Sequence, residues 1–149
     1  MAPLPVVGLG ASQCCYSLSP TEPQIRAHSP RDVIAGFQSA FNEARIEDVL
    51  ALYDAEAVLS PGRGRAVAGL AAIQAAYSAV LGLGIALHIT VTSELETGTD
   101  IALVSTQWTA RRANADGTRN RQSGTARLVL RRHPDGAWRI LIDDSGRVA

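Results

Sequence analysis

Lysine is missing from this sequence altogether: all fourteen basic residues are arginines, and fourteen acidic residues balance them. Without net charge, no long-range field draws the chain toward nucleic acid or an anionic lipid surface, and neither is expected as a partner. Cysteine is nearly missing too. Cys14 and Cys15 are neighbours, poorly placed to bridge each other, and nothing else could complete a disulfide framework or a metal cluster. A reducing, cytoplasmic compartment is the expectation. Long apolar runs are also lacking. No segment approaches the ~20 residues that a membrane span requires. The opening MAPLPVV has no basic residue and is broken by Pro3 and Pro5, unlike an export signal. The three histidines, His28, His88 and His133, are scattered without H-x-H or H-E-x-x-H spacing, so neither a metal nor an organic cofactor is expected.

What is present fits one domain of 149 residues, 46% hydrophobic and 19% charged, large enough to bury a core and too small for two ordinary domains. Residues 1 to 30 hold five of the seven prolines and no sustained period, and are read as a flexible N-terminal extension, with the domain over 31–149. At Ser29-Pro30 the pattern changes to that of a helix start, with Ser as cap and Pro in the first turn. Val33, Ile34, Phe37, Ala40, Phe41 and Ala44 then recur at helical spacing. A short second helix follows, with Glu47 and Asp48 near its positive end and Leu52 and Tyr53 on its buried side. Ala57 to Leu59 reads as a short strand. A third helix carries Leu70, Ile73, Tyr77 and Val80 and stops at Gly82 and Gly84.

Beyond Gly84 the period becomes two. Ile85, Leu87, Ile89, Val91 and Leu95 alternate with polar residues along one strand. Ile101 to about Arg111, Gln122 to Arg132 and Trp138 to Asp143 are three more, separated by Gly98-Thr99-Asp100, Asp116-Gly117 and Pro134-Asp135-Gly136. Helices followed by hairpin-linked strands indicate an α+β fold with an antiparallel sheet packed on helices.

Three stretches in this order resemble the nuclear transport factor 2-like superfamily. Ile46 to Leu59 is similar to its short helix that ends in Tyr before an acidic D-A-x-V strand. Val67 to Ile73 looks like its Gly-started third helix. Asp135-Gly136-Ala137-Trp138-Arg139-Ile140 is similar to the D-G-x-W-R-I ending of the SnoaL-like and ketosteroid-isomerase-like branches. The resemblance covers about residues 31–146. It implies a cone-shaped roll, three N-terminal helices on a curved, mainly antiparallel sheet that encloses a pocket. It also implies a small apolar molecule as partner, and a homodimer formed through the open sheet face around His88, Thr90 and Trp108. Laid onto this chain, the steroid isomerase pattern of a Tyr and two carboxyl groups falls on Phe37, Ser60 and Leu128, none of which can do that chemistry. Acid/base chemistry on an apolar substrate, as in an isomerase or cyclase, therefore needs other residues. The alternative is a non-catalytic ligand-binding or dimerisation module.

The last strand offers Asp143 and Asp144, of which alternation allows only one to point inward. If Trp138, Ile140 and Ile142 share a face, Asp144 joins them and is the candidate acid/base. On the second long strand either face could line the pocket. The family register favours the face of Ile101, Leu103, Ser105, Gln107 and Thr109, making Ser105 and Gln107 ligand donors. Trp108 lies on the other face, as an interface residue or a stacking platform. Tyr53, Tyr77 and His88 complete the candidate ligand-binding set. His133 is expected in solvent. An epoxide-hydrolase-like Asp-Arg-Asp group would need Arg127 or Arg139 to meet Asp143 or Asp144. The Gly62-Arg63-Gly64-Arg65 loop lacks the P-loop pattern and reads as solvated.

Overall fold

The computed structural model describes residues 26–62 and 64–146; of the extension expected over residues 1–30, residues 1–25, with Cys14 and Cys15, lie outside the described residues. The elements are α1 (Pro30–Asn42), α2 (Ile46–Ala51), β1 (Tyr53–Ser60), β2 (Val67–Ala68), α3 (Leu70–Leu81), β3 (Ala86–Glu96), β4 (Ile101–Ala113), β5 (Arg119–Arg132) and β6 (Trp138–Asp144). The start of α1 is the expected one: Ser29 Oγ accepts from the Asp32 N–H, and Pro30 occupies the first turn, where its missing N–H costs nothing. Ahead of it, Ala27 is already buried, and its carbonyl accepts from the Trp138 N–H.

Six strands form one sheet in the order β2-β1-β6-β5-β4-β3. All pairs are antiparallel except β1 with β6, which run parallel because the α3 to β5 segment intervenes between them. The helices pack on one face of this sheet, and the core lies between: Val33, Val49, Leu52, Ile73, Val104, Leu130 and Ile140 are all essentially inaccessible. This is the α+β roll that the sequence led us to expect.

Three departures from regular pairing decide which side chains face inward. In β3 the register with β4 shifts between Val91 and Ser93, so Thr92 is an extra residue. In β6 the register with β5 shifts between Ile140 and Ile142, so Leu141 is extra. The pairing of β1 with β6 slips between Tyr53 and Val58. The single extra residues in β3 and β6 each reverse the inside–outside alternation beyond them, whereas β1 keeps Tyr53, Ala57 and Leu59 on the inner side throughout.

In the first half of the edge strand β3, side chains of α1 occupy open backbone groups. The Asn42 amide donates to Leu87 O at 2.8 Å and accepts from Leu87 N at 2.7 Å, while Gln38 Oε1 accepts from Ile89 N at 2.6 Å. Arg31 meets Glu94 farther along the same strand at 2.9 Å.

Candidate functional site

Between α1, α3 and the concave sheet face lies a cavity of about 260 Å3, walled largely by carbon from Phe37, Phe41, Leu87, Ile89, Trp108 and Leu128. Among the described residues, Asp143 is its only carboxyl group. The bulge at Leu141 puts it there. Trp138 and Ile140 point inward as alternation requires; after the extra residue Ile142 turns out and Asp143 turns in, 4% exposed. The expected candidate Asp144 is thereby corrected: it lies exposed on the convex face, opposite Arg127.

Two tyrosines converge on Asp143. Tyr53 is not on α2, as its helical spacing implied, but opens β1 beside Ile140, because α2 stops at Ala51. Tyr77 projects from α3 one turn beyond the buried Ile73. The Tyr53 hydroxyl donates to Asp143 Oδ2 at 2.5 Å, lies 2.7 Å from the Tyr77 hydroxyl, and Tyr77 reaches the same Oδ2 at 3.4 Å. Phe37 stacks edge-on against both rings, at 6.4 and 5.7 Å between centroids. Phe37, where the steroid isomerase pattern would need a hydroxyl, thus stands next to the two side chains that bring hydroxyls instead.

The other carboxyl oxygen, Oδ1, accepts from Ser145 Oγ at 3.2 Å. Ser145 is fixed by its own backbone: its N–H donates to Ser60 O at 3.0 Å, and its carbonyl accepts from Trp108 Nε1 at 3.1 Å. Gly146 follows at φ +67°, and a Cβ there would stand 1.8 Å from Thr125 O, so only glycine lets the chain pass β5 this closely. Burial pushes the Asp143 carboxyl above the usual carboxylate range. The bonds from Tyr53, Ser145 and Tyr77 oppose this without cancelling it, and Asp144 adds to it. Tyr53 and Tyr77 are held well above the usual phenol value, first by burial and then by the neighbouring Asp143 charge, and so remain donors.

The other sequence candidates are placed differently. On β4 the inward face is Ala102, Val104, Thr106, Trp108 and Ala110, so the face carrying Ser105 and Gln107 points away from the cavity. Trp108 lines the cavity and cannot belong to a convex interface with His88 and Thr90, which are exposed. Tyr53 touches Asp143 rather than the cavity wall, whereas Tyr77 does both. Asp143 meets no arginine among the described residues, and Arg139 pairs with Asp135 at 3.3 Å, so no Asp-Arg-Asp group forms.

Sequence reasoning missed a second buried carboxylate. Asp54, 2% exposed, accepts from Arg131 Nε at 3.1 Å and its terminal nitrogen at 2.8 Å, from the Glu56 N–H at 2.9 Å, and lies 2.7 Å from His133 Nε2. His133 is therefore engaged rather than solvated. Its only sequence signal was the place of Asp54 at the head of the D-A-x-V stretch, which says nothing of Arg131 or His133. Among the described residues, no cluster of three or more His, Cys, Asp or Glu could hold a metal ion, and no helix is long and apolar enough to cross a membrane.

The SnoaL-like domain pattern matches residues 34–139. Among solved structures, the chain is similar to a ketosteroid isomerase-like protein from Erwinia carotovora atroseptica SCRI1043, with TM-score 0.70 and 23% identity over 80% of this chain and 93% of that one. It is also similar to an NTF-2 like protein from Shewanella oneidensis MR-1, with TM-score 0.67 and 19% identity over 78% and 94% of the two chains. An NTF2-like protein with a cystatin-like fold from Novosphingobium aromaticivorans gives TM-score 0.68 and 20% identity over 78% of each chain. At such identities these likenesses establish the fold alone. No curated protein matches the chain by sequence.

Proposed function

This chain belongs to the SnoaL-like domain family, and on that premise we propose that it performs acid/base chemistry, of the isomerase or cyclase kind, on a small apolar molecule bearing an oxygen function. The observation that carries this reading is Asp143, the single carboxyl group that the described residues bring to an apolar cavity, with its proton affinity raised by burial. A carboxylate in that position takes a proton from a carbon next to a ligand carbonyl; the electron pair of the broken C–H bond moves onto the carbonyl oxygen as an enolate. Returning the proton from Asp143 to the same or another carbon completes the cycle without redox change. Tyr53 and Ser145 hold the carboxyl in place, and Tyr77 keeps a hydroxyl at the cavity wall.

The experiment works before any natural substrate is identified. In D2O, small cyclic ketones such as tetralone and decalone are incubated with the protein, and exchange of their α-hydrogens is read by mass spectrometry. Asp143→Asn is expected to lower the protein-dependent rate by about 10²- to 10⁴-fold. Exchange that survives this substitution unchanged sinks the catalytic assignment. One feature favours the non-catalytic alternative, a ligand-binding module: three hydroxyls already bond Asp143, leaving little of its capacity free. Binding of the ketones without exchange would support that alternative.

The proposal extends to a homodimer. Leu95, Leu103, Val129, Ile142 and Val58 lie side by side across five strands of the convex face, an apolar row about 20 Å long. Leu95, Leu103 and Ile142 remain 63%, 38% and 44% exposed. The next row holds Arg127 beside Asp144. A two-fold axis parallel to the strands, between β5 and β6, stacks the row on its copy and faces each Arg127 with Asp144 of the partner subunit. A dimer mass by sedimentation, lost on Leu103→Asp, is expected; a clean monomer at micromolar concentration counts against it.

A further inference from the structure

The polar side chains of the cavity wall are few, and nearly all are spoken for. Tyr77, Asp143, Ser145 and Trp108 form one connected set: Tyr77 and Ser145 bond to Asp143, and the Trp108 N–H bonds to the Ser145 carbonyl. Gln122 lies exposed at the rim. Thr106 is different. It is 2% exposed, it lines the cavity, and its hydroxyl makes no hydrogen bond with any described residue. No side-chain oxygen is both sealed from all space and unpaired among the described residues, so the free volume that the Thr106 hydroxyl meets is the cavity itself.

For folding alone, valine would serve better at this position, with the same branched shape, strong strand propensity and no hydroxyl to remove from water. The hydroxyl has a use only if something in the cavity bonds to it. Its place in the sheet says where. Thr106 pairs with Ala126 on β5, and Asp143 pairs with Leu128 on the same strand. The two backbones are therefore about 10 Å apart across two strand spacings, and one pleat apart along them. Between them Ala126 and Leu128 offer only carbon.

We propose that Thr106 is a second recognition point, and that the cavity is built for a molecule with two oxygen functions held apart by a compact carbon skeleton. One oxygen lies at the Asp143 end and the other at Thr106. The inference rests on the reading that the cavity binds a small oxygen-bearing molecule, and it names the class of that molecule. The cavity volume, about that of nine liquid waters, suits a skeleton of bicyclic size.

The test uses fluorescent probes that differ by one hydroxyl: 2-naphthol against 1,5-, 2,6- and 2,7-dihydroxynaphthalene, titrated into the full chain. The tightest dihydroxy isomer is expected to bind about three- to ten-fold more strongly than 2-naphthol. Thr106→Val is expected to erase that preference and leave 2-naphthol binding within about two-fold, while Thr106→Ser, which keeps the hydroxyl, retains it. Absence of any preference in the unsubstituted protein overturns this inference alone, as does a preference that survives Thr106→Val or a loss shared equally by all probes. Failure of every probe to bind overturns the cavity's role in binding, and this inference with it.

Discussion

Two aspartates flank Tyr53 in space, both nearly inaccessible, and their carboxyl groups behave in opposite ways. Burial alone would raise both. At Asp54 the Glu56 N–H, Arg131 and His133 outweigh burial and pull the carboxyl below its ordinary value. At Asp143 only neutral hydroxyls are available, and burial wins. Low exposure alone therefore does not decide where a carboxyl titrates; how many donors reach it, and whether an arginine is among them, counts as well. One arrangement fastens β1 to the end of β5, and the other leaves a carboxyl of raised proton affinity facing an apolar cavity.

The sharpest way to break this contrast is Asp54→Asn. It strips the ion pair from a site whose donors stay behind, and a loss of about 2–3 kcal/mol in urea denaturation at pH 7 is expected. That lies below the cost of breaking a fully buried pair, because Arg131 is partly in water. A change near zero would make the cluster ornamental. Asp143→Asn should move stability the other way, by about 1 kcal/mol at neutral pH, since the amide keeps the shape and an acceptor without a charge to desolvate. Destabilisation there would mean that the charge is welcome.

The pH profile follows with its sign. Asp54 stabilises the fold above its unfolded-state value, and that contribution is lost as pH falls through its depressed folded value. Asp143 binds its proton more tightly when folded, so stability falls as pH rises from the unfolded carboxylate value, near 3.9, through the raised folded one. Asp143→Asn should flatten the second limb only, and Asp54→Asn the first only. The smallest effect expected is on the Asp143 titration itself, followed by carboxyl 13C shifts: Tyr53→Phe raises it by removing the 2.5 Å bond, and Tyr77→Phe raises it less, having lost one of 3.4 Å.

Much of the fold could be read from the sequence, because the signals there are local. The Ser29-Pro30 start, the helical spacing through Phe41 and the Asp116-Gly117 turn each carry their own cause. The site was read less well, because it depends on where periodicity fails. Nothing in Trp138-Arg139-Ile140-Leu141-Ile142 announces that Leu141 is extra, yet that residue exchanges Asp144 for Asp143. Thr92 does the same to Leu95, which joins the convex row instead of the core. The choice of face on β4 depended on what packs there, and alternation is blind to that. Asp54 and His133 are 79 residues apart, beyond any local pattern.

The way α1 closes the first half of β3, with Asn42 on both backbone groups of Leu87 and Gln38 on the N–H of Ile89, reaches beyond the monomer. At the opposite end the sheet finishes in the two residues of β2. Both borders are thus shortened as templates on which another strand could continue the sheet from chain to chain into a fibre. The two-fold contact proposed above would use faces instead, and such a contact uses itself up, so growth would stop at a closed pair.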